Sequence, residues 1–206
     1  NTYWARIDEA DLEHMIGTDV PASLCTGQFR SEVRYTTPSG VRKWLRMLSR
    51  VNRPEDPEHG TWSGIIIDST AEHASDETVR KLSLAVEQSP SSIVITDLDG
   101  NIQYVNEAFT RISGYPREDA LGKNPRILKS GHTPPDLYVD LWDTLLRGEV
   151  WKGDLHNRRH DGTEYLEAAM IAPIREPDGR VTHYLAIKED ITEQRRTGEE
   201  LERYRH

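Results

Sequence analysis

GEVWKGDLHNRRHDGTEYL, residues 148–166, decides how the chain is to be read. Gly148 is placed to end a helix; an extended run, an Asp161-Gly162 turn and a second extended run follow, which together specify a β-hairpin. Side chains alternate along a strand, so Trp151, Gly153, Leu155 and Asn157 share one face and Lys152, Asp154, His156 and Arg158 the other. The first set belongs inside. Asn157 is then an amide on an apolar face, and leaving it unpaired there costs about 1–3 kcal/mol. It needs either loop backbone or a polar, planar ligand.

The 206 residues suffice for one large domain or two small ones. A net charge of −9 argues against nucleic acid or an anionic membrane surface as the main partner, since both call for a basic face. Cys25 is the only cysteine, which leaves no intrachain disulfide and no paired-cysteine metal site. No apolar run approaches the roughly 18 residues of a membrane span, and the N-terminus does not read as a signal peptide. The expectation is a cytoplasmic segment, or the cytoplasmic part of something longer, with no membrane insertion.

An offset of 122 positions aligns Phe29 with Trp151, Gly40 with Gly162, Trp62 with Tyr184 and Asp68 with Asp190 without a gap. Each copy has an extended segment (29–36; 150–159), a glycine turn, a longer segment, a second turn (RPEDPEHG, 53–60; EPDG, 176–179) and a closing strand (TWSGIIID; HYLAIKED). The first copy lacks counterparts of roughly residues 89–122 and should not bury its sheet alone. Between the copies, Val79, Leu82 and Val86 at helical spacing predict a connecting helix over 75–89, capped by Ser75 or Asp76 and ended by Pro90. Its apolar stripe is a candidate homodimer contact.

The second copy opens with SSIVITDLDGNIQYVN, two strand-like runs around Asp99-Gly100, then EAFTRISGY and REDALGK, short helical pieces broken at Gly114 and Pro116. Thr133 can cap a helix with Pro134 at its first position and a stripe of Leu137, Tyr138, Leu141, Trp142 and Leu145. The order predicts an α+β fold: a five-stranded antiparallel sheet with helices on one face and a pocket between them.

This arrangement resembles the PAS sensor domain, here in tandem with the first copy incomplete. ITDLDGNIQYVNEAF (95–109), SGYPREDALGKNPRIL (113–128) and the closing Asp190-Ile191-Thr192 carry the likeness. GKNPRILKSGHTPPDLYVDLW followed by GEVWKGDLHNRRHDGT further resembles the FAD-binding redox PAS domains of nitrogen-fixation regulators, aerotaxis receptors and methane-oxidation sensor histidine kinases. That resemblance implies non-covalent FAD, with Trp142 and Asn157 at the flavin ring and Asn124, Arg126 and Thr133 around the same pocket. Trp151 and Trp142 offer flat apolar surface suited to a flavin or to core packing, and Lys123, Arg126 and Lys129 stand where a pyrophosphate could leave. With the repeat, the resemblance gives a domain layout of 1–73 (ligand-free PAS part), 74–89 (connector), 90–190 (FAD-binding PAS) and 191–206 (exit helix); from the residues themselves, Asp190 can cap the exit helix with Glu193 completing a capping-box-like pair. The resemblance implies that this helix leads to an output domain such as a histidine kinase.

Pro125 occupies the position where light-sensing flavin PAS domains carry the adduct-forming cysteine. In the first copy, Val20, Phe29 and Tyr35 stand opposite Trp142, Trp151 and Asn157, and no flavin is expected there. Within the fold, the alternatives are a haem sensor, which wants a histidine that helix 133–147 lacks, and a ligand-free dimerisation or relay module. Outside it, a hydrolase would draw on His156, His160, Asp161 and Glu164, but alternation and the turn place these outward.

Overall fold

The computed structural model describes residues 3–52 and 61–205. The chain separates into two compact units, residues 1–81 and 82–206. In the first, helix α1 (Glu9–His14), a π-helical turn and α2 (Val20–Thr26) precede three antiparallel strands, β1 (Gln28–Thr36), β2 (Arg42–Val51) and β3 (Trp62–Asp68), ordered β1-β2-β3. The RPEDPEHG turn lies outside the described residues. The sheet was expected to lack cover, yet one face has it: Ile7 and Met15 pack on Val33 and Met47, with Leu12, Phe29 and Tyr35 around them. Leu12 and Met15, one helical turn apart, carry the signal for this.

Helix α3 runs Thr70–Glu87, starting earlier than the stripe alone predicts, so Ser75 and Asp76 lie within it. The reason is local. Asp68 Oδ1 accepts from the Thr70 backbone N–H (3.1 Å) and hydroxyl (2.6 Å), while Thr70 Oγ1 accepts from the Trp44 backbone N–H (2.9 Å). Lys43 and Thr70 hold the Asp68 carboxyl down at about 2. Val79 and Leu82 are each 63% exposed.

The second unit follows with β4 (Ser92–Thr96), β5 (Ile102–Val105), α4 (Glu107–Ser113), α5 (Arg117–Ala120), a 3₁₀ turn (Pro125–Leu128), α6 (Pro135–Leu146), β6 (Trp151–Arg158), β7 (Glu164–Arg175), β8 (Val181–Asp190) and α7 (Thr192–Arg205). The five strands form an antiparallel sheet ordered β5-β4-β8-β7-β6. Two clusters fill its helical face: Val94, Ile102, Val105, Phe109, Ala120, Leu128 and Ala186, then Leu141, Leu145, Trp151, Leu155, Ala169 and Tyr184. The alternation expected for β6 holds, with Trp151, Leu155 and Asn157 buried and His156 and Arg158 exposed.

The pairing of the first unit's sheet recurs in the second at the same offset. Phe29 faces Ser49 as Trp151 faces Ile171, and Leu45 faces Asp68 as Glu167 faces Asp190. The helix start recurs too: Asp190 Oδ1 accepts from the Thr192 N–H (3.0 Å) and hydroxyl, and Thr192 Oγ1 accepts from the Leu166 N–H (2.9 Å). Instead of the expected capping pair with Glu193, the Asp190 carboxylate is tied to Thr192 and to Arg159 (2.7 Å). Burial opposes its charge, but these bonds outweigh burial and hold the carboxyl below its usual range.

Candidate functional site

A cavity of about 320 Å³ opens between α6, the segment around the 3₁₀ turn and the sheet. Val94, Leu141, Leu145, Leu155, Ile171 and Ala186 make its apolar wall, Tyr138, Trp142 and Tyr184 its aromatic surface. Among its polar groups are Asn157 on β6 and Lys188 on β8, which meet at Glu167 on β7. Asn157 Nδ2 donates to Glu167 Oε2 (2.6 Å), and the same oxygen accepts from Lys188 Nζ (3.1 Å). Glu167 is 1% exposed and Lys188 5%, so an ion pair is buried at the inner end of the site. Asn157 and Lys188 line the cavity itself.

This answers the question raised by an inward amide, with a partner that is neither loop backbone nor ligand. The Glu167 carboxylate takes one Asn157 N–H, and the amide still faces the cavity. Glu167 and Lys188 are sequence signals that the β6 pattern alone misses. Alternation carried into the next two strands finds them: Tyr165, Glu167 and Ala169 share the inner face of β7, and Tyr184, Ala186 and Lys188 that of β8. Tyr165 stands directly across from Asn157, and burial pushes its phenol above the usual range.

At the mouth, Asn124, Pro125, Arg126 and Lys129 line the opening. Asn124 Oδ1 accepts from the Arg126 backbone N–H (3.1 Å), which starts the 3₁₀ turn. Lys129 Nζ lies 3.6 Å from the centre of the Tyr138 ring. Lys123 is exposed and does not line the cavity. Gly100, at φ +81°, sits against this rim; a Cβ there would come within 2.7 Å of Asn124 Nδ2. Glycine is required for both reasons. Trp142, 39% exposed, meets Tyr184 edge to face at 5.9 Å.

Two of the residues expected at the pocket stand behind it. Trp151 does not line the cavity: it is buried among Leu141, Leu145 and Leu155, and its Nε1 donates to Asp140 Oδ2 (2.9 Å), fixing β6 to α6. Its ring lies over Gly153, where a Cβ would approach to 2.5 Å. Thr133 neither lines the cavity nor caps α6, because Pro134 takes the cap position and Pro135 the first helical one. Its hydroxyl instead bonds the His156 backbone, accepting from N (2.8 Å) and donating to O (3.2 Å). Ser130 Oγ donates to the same carbonyl (2.7 Å), and Lys129 pairs with Asn157 through backbone. These contacts hold Asn157 in place from the sheet edge.

Among the described residues, no histidine or cysteine lines the cavity. His132 is at the surface 3.0 Å from Glu164, and His156 and His160 are exposed. In the first unit, the position equivalent to Asn157 is Tyr35, which stacks on Tyr3 at 4.9 Å.

Comparison with known proteins places this site in a family. The PAS domain family model matches residues 90–193. The nitrogen fixation regulatory protein of Klebsiella oxytoca is 44% identical over 107 residues, covering 52% of this chain and 22% of that protein. The aerotaxis receptor of Escherichia coli (strain K12) is 32% identical over 100 residues, covering 48% and 19%. The chain thus spans about a fifth of the length of these relatives. Among solved structures, an RNA-binding light-oxygen-voltage receptor shares the fold at a TM-score of 0.56 and 15% identity, over 98% of this chain and 89% of that one. A structure described under a flavin analogue and the light-oxygen-voltage domain mechanism matches at a TM-score of 0.51 and 28% identity, over 63% and 96%. With the five-stranded sheet, its helical face and the matched residues in agreement, the chain belongs to the PAS domain family.

Proposed function

We propose that the second unit binds FAD non-covalently in the cavity and senses redox state or oxygen, passing the result through α7 to an output domain such as a histidine kinase. Relatives named as a nitrogen fixation regulatory protein, an aerotaxis receptor and a blue-light-activated histidine kinase support a sensor module of this kind. The observation that carries the cofactor is the composition of the cavity: apolar walls for a flat ring, and an amide and a buried ion pair gathered at one end. Its volume lies at the lower end of the roughly 300–1,000 Å³ of small-molecule sites.

The residues fit a flavin ring. Asn157 would hydrogen-bond the polar edge of the ring, Lys188 would supply positive charge, and Trp142 would offer it aromatic contact. Arg126 and Lys129 at the mouth suit a pyrophosphate leading out to solvent, with Asn124 shaping the turn between them and the ring. Trp151 and Thr133 serve by holding β6. Bound flavin would supply reversible electron transfer, while the protein provides binding, orientation and local charge. Among the described residues no histidine lines the cavity, which favours flavin over haem.

Purified protein is expected to be yellow, with flavin absorption bands. Asn157→Ala should lower FAD retention about tenfold or more, as loss of a good bond at a buried site does, while Tyr35→Ala leaves it unchanged. Full flavin occupancy in the Asn157 variant would remove Asn157 from the site. With Pro125 in the cysteine position, illumination without an electron donor should leave the bands intact. Reversible bleaching with a new near-ultraviolet band would contradict this assignment.

The exposed stripe on α3 is proposed as part of a homodimer contact. Light scattering at micromolar concentration should report a dimer that Val79→Glu with Leu82→Glu weakens about tenfold or more. A monomeric parent protein would defeat the proposal.

A further inference from the structure

Strand β6 has two faces with different employment. Inward, Leu155 and Asn157 line the cavity; outward, their neighbour Asp154 accepts from Arg195 Nη2 at 2.6 Å. Arg195 lies in the first turn of α7, three residues beyond Thr192. From residue 193 to 204 the helix is exposed, and a cleft of about 200 Å³ remains between it and the sheet, lined by His156, Glu164, Leu166 and Glu199 among others. Among the described residues, α7 is therefore held by polar attachments at its start rather than by a buried apolar face.

The same two positions also come close in the first unit, there without a hydrogen bond. Glu32 on β1 corresponds to Asp154 and His73 in α3 to Arg195, and His73 Nε2 lies 3.1 Å from Glu32 Oε1. There the carboxylate is shared: Arg46 and Ser69 bond the same oxygen. In the second unit Ala168 takes the place of Arg46 across the strand, and Arg195 is the cation bonded to Asp154. The two units thus keep these positions close to each other with different residues, and only the Asp154–Arg195 pair is hydrogen-bonded.

We propose that Asp154 and Arg195 form a latch that seats α7 on the outer face of β6, so that what occupies the cavity against Leu155 and Asn157 is felt by the exit helix across the thickness of a single strand. The coupling half of this proposal rests on the reading of the cavity as a flavin site; the latch itself does not. The pair is partly solvated, so its effect is modest and salt-sensitive.

Hydrogen exchange of the full chain tests it, read at the amides of residues 192–199 with and without FAD. In FAD-free protein, Asp154→Asn and Arg195→Gln are each expected to raise exchange there about two- to fivefold, and Asp154→Arg with Arg195→Asp to restore it. FAD should change α7 exchange in the parent protein and not in Asp154→Asn. Single variants that exchange like the parent would overturn the latch. A full FAD response surviving in Asp154→Asn would overturn the coupling and direct it to β8 and Asp190. Absence of FAD binding, read separately by absorbance, would overturn the cofactor reading and the coupling together, while the FAD-free comparison still decides the latch.

Discussion

Glu167→Gln is expected to destabilise the second unit by about 3–5 kcal/mol, the usual range when one partner of a buried ion pair is removed. Glu167 Oε2 receives both the Asn157 amide and the Lys188 ammonium, and the side chains of Glu167 and Lys188 are almost entirely out of water. Glutamine keeps the shape and can still accept from Asn157, so the loss isolates the counter-charge. An ammonium left there without its counter-charge carries its full desolvation cost, which opposes folding. Adding Lys188→Met should recover most of the deficit, because a neutral packed pair commonly matches or exceeds a buried ionic one. Urea unfolding followed by circular dichroism measures the change, and hydrogen exchange along β7 assigns it to this unit. A loss below about 1 kcal/mol would mean that the pair is solvated through the cavity mouth and is not a structural element.

Asn106→Ala is the second large loss, at about 3 kcal/mol. Asn106 is fully buried at the junction of three elements. Its Oδ1 accepts from the Ile93 N–H (2.9 Å) in β4 and from the Phe109 N–H (3.1 Å), which caps α4. Its Nδ2 donates to the carbonyls of Val86 and Ser91, both at 3.0 Å. Alanine removes a helix cap, worth about 0.5–2 kcal/mol, and strands buried backbone groups at about 1–3 kcal/mol each, partly relieved by relaxation. Asn106→Asp keeps the acceptor but sets a carboxylate oxygen against the Val86 and Ser91 carbonyls in a fully buried site, and should cost at least as much as alanine. Denaturant midpoints of the three proteins give the order directly; an alanine variant within 1 kcal/mol of the parent would show that water replaces the amide.

Both residues show what a sequence reveals and what it hides. The hairpin, the inward face of β6 and the paired registers 122 positions apart were legible, because period-two alternation and glycine turns are local signals. The Asn106 bonds were not: a cap followed by EAFTRIS is readable, but bonds to Val86 and Ser91 depend on where the chain returns. Lys188 looks like one charge in a charged run, Lys-Glu-Asp, until the phase of β8 is fixed by its pairing to β7. Thr133 was read as a cap because hydroxyls before prolines usually are; two consecutive prolines move the helix start and leave the hydroxyl to β6. The early start of α3 depends on Asp68 and Thr70, which the apolar stripe does not report.

The bonds from Lys129, Ser130 and Thr133 to β6 also govern how the protein behaves in company. A border strand with free N–H and C=O groups is a template on which another chain can grow. In the larger unit both borders are hemmed by the protein's own loops: β6 by residues 129–133, and β5 by Gly122 donating to the Ile102 carbonyl and Lys123 accepting from its N–H. Strand β3 in the smaller unit pairs only with β2 among the described residues, and Ile65, Ile66 and Ile67 along it are exposed. The smaller unit's β3 is therefore the more open template for an added strand, while the sheet that walls the cavity has one end of each border strand, at His156 and Asn157 and at Ile102, already bonded to the protein's own loops.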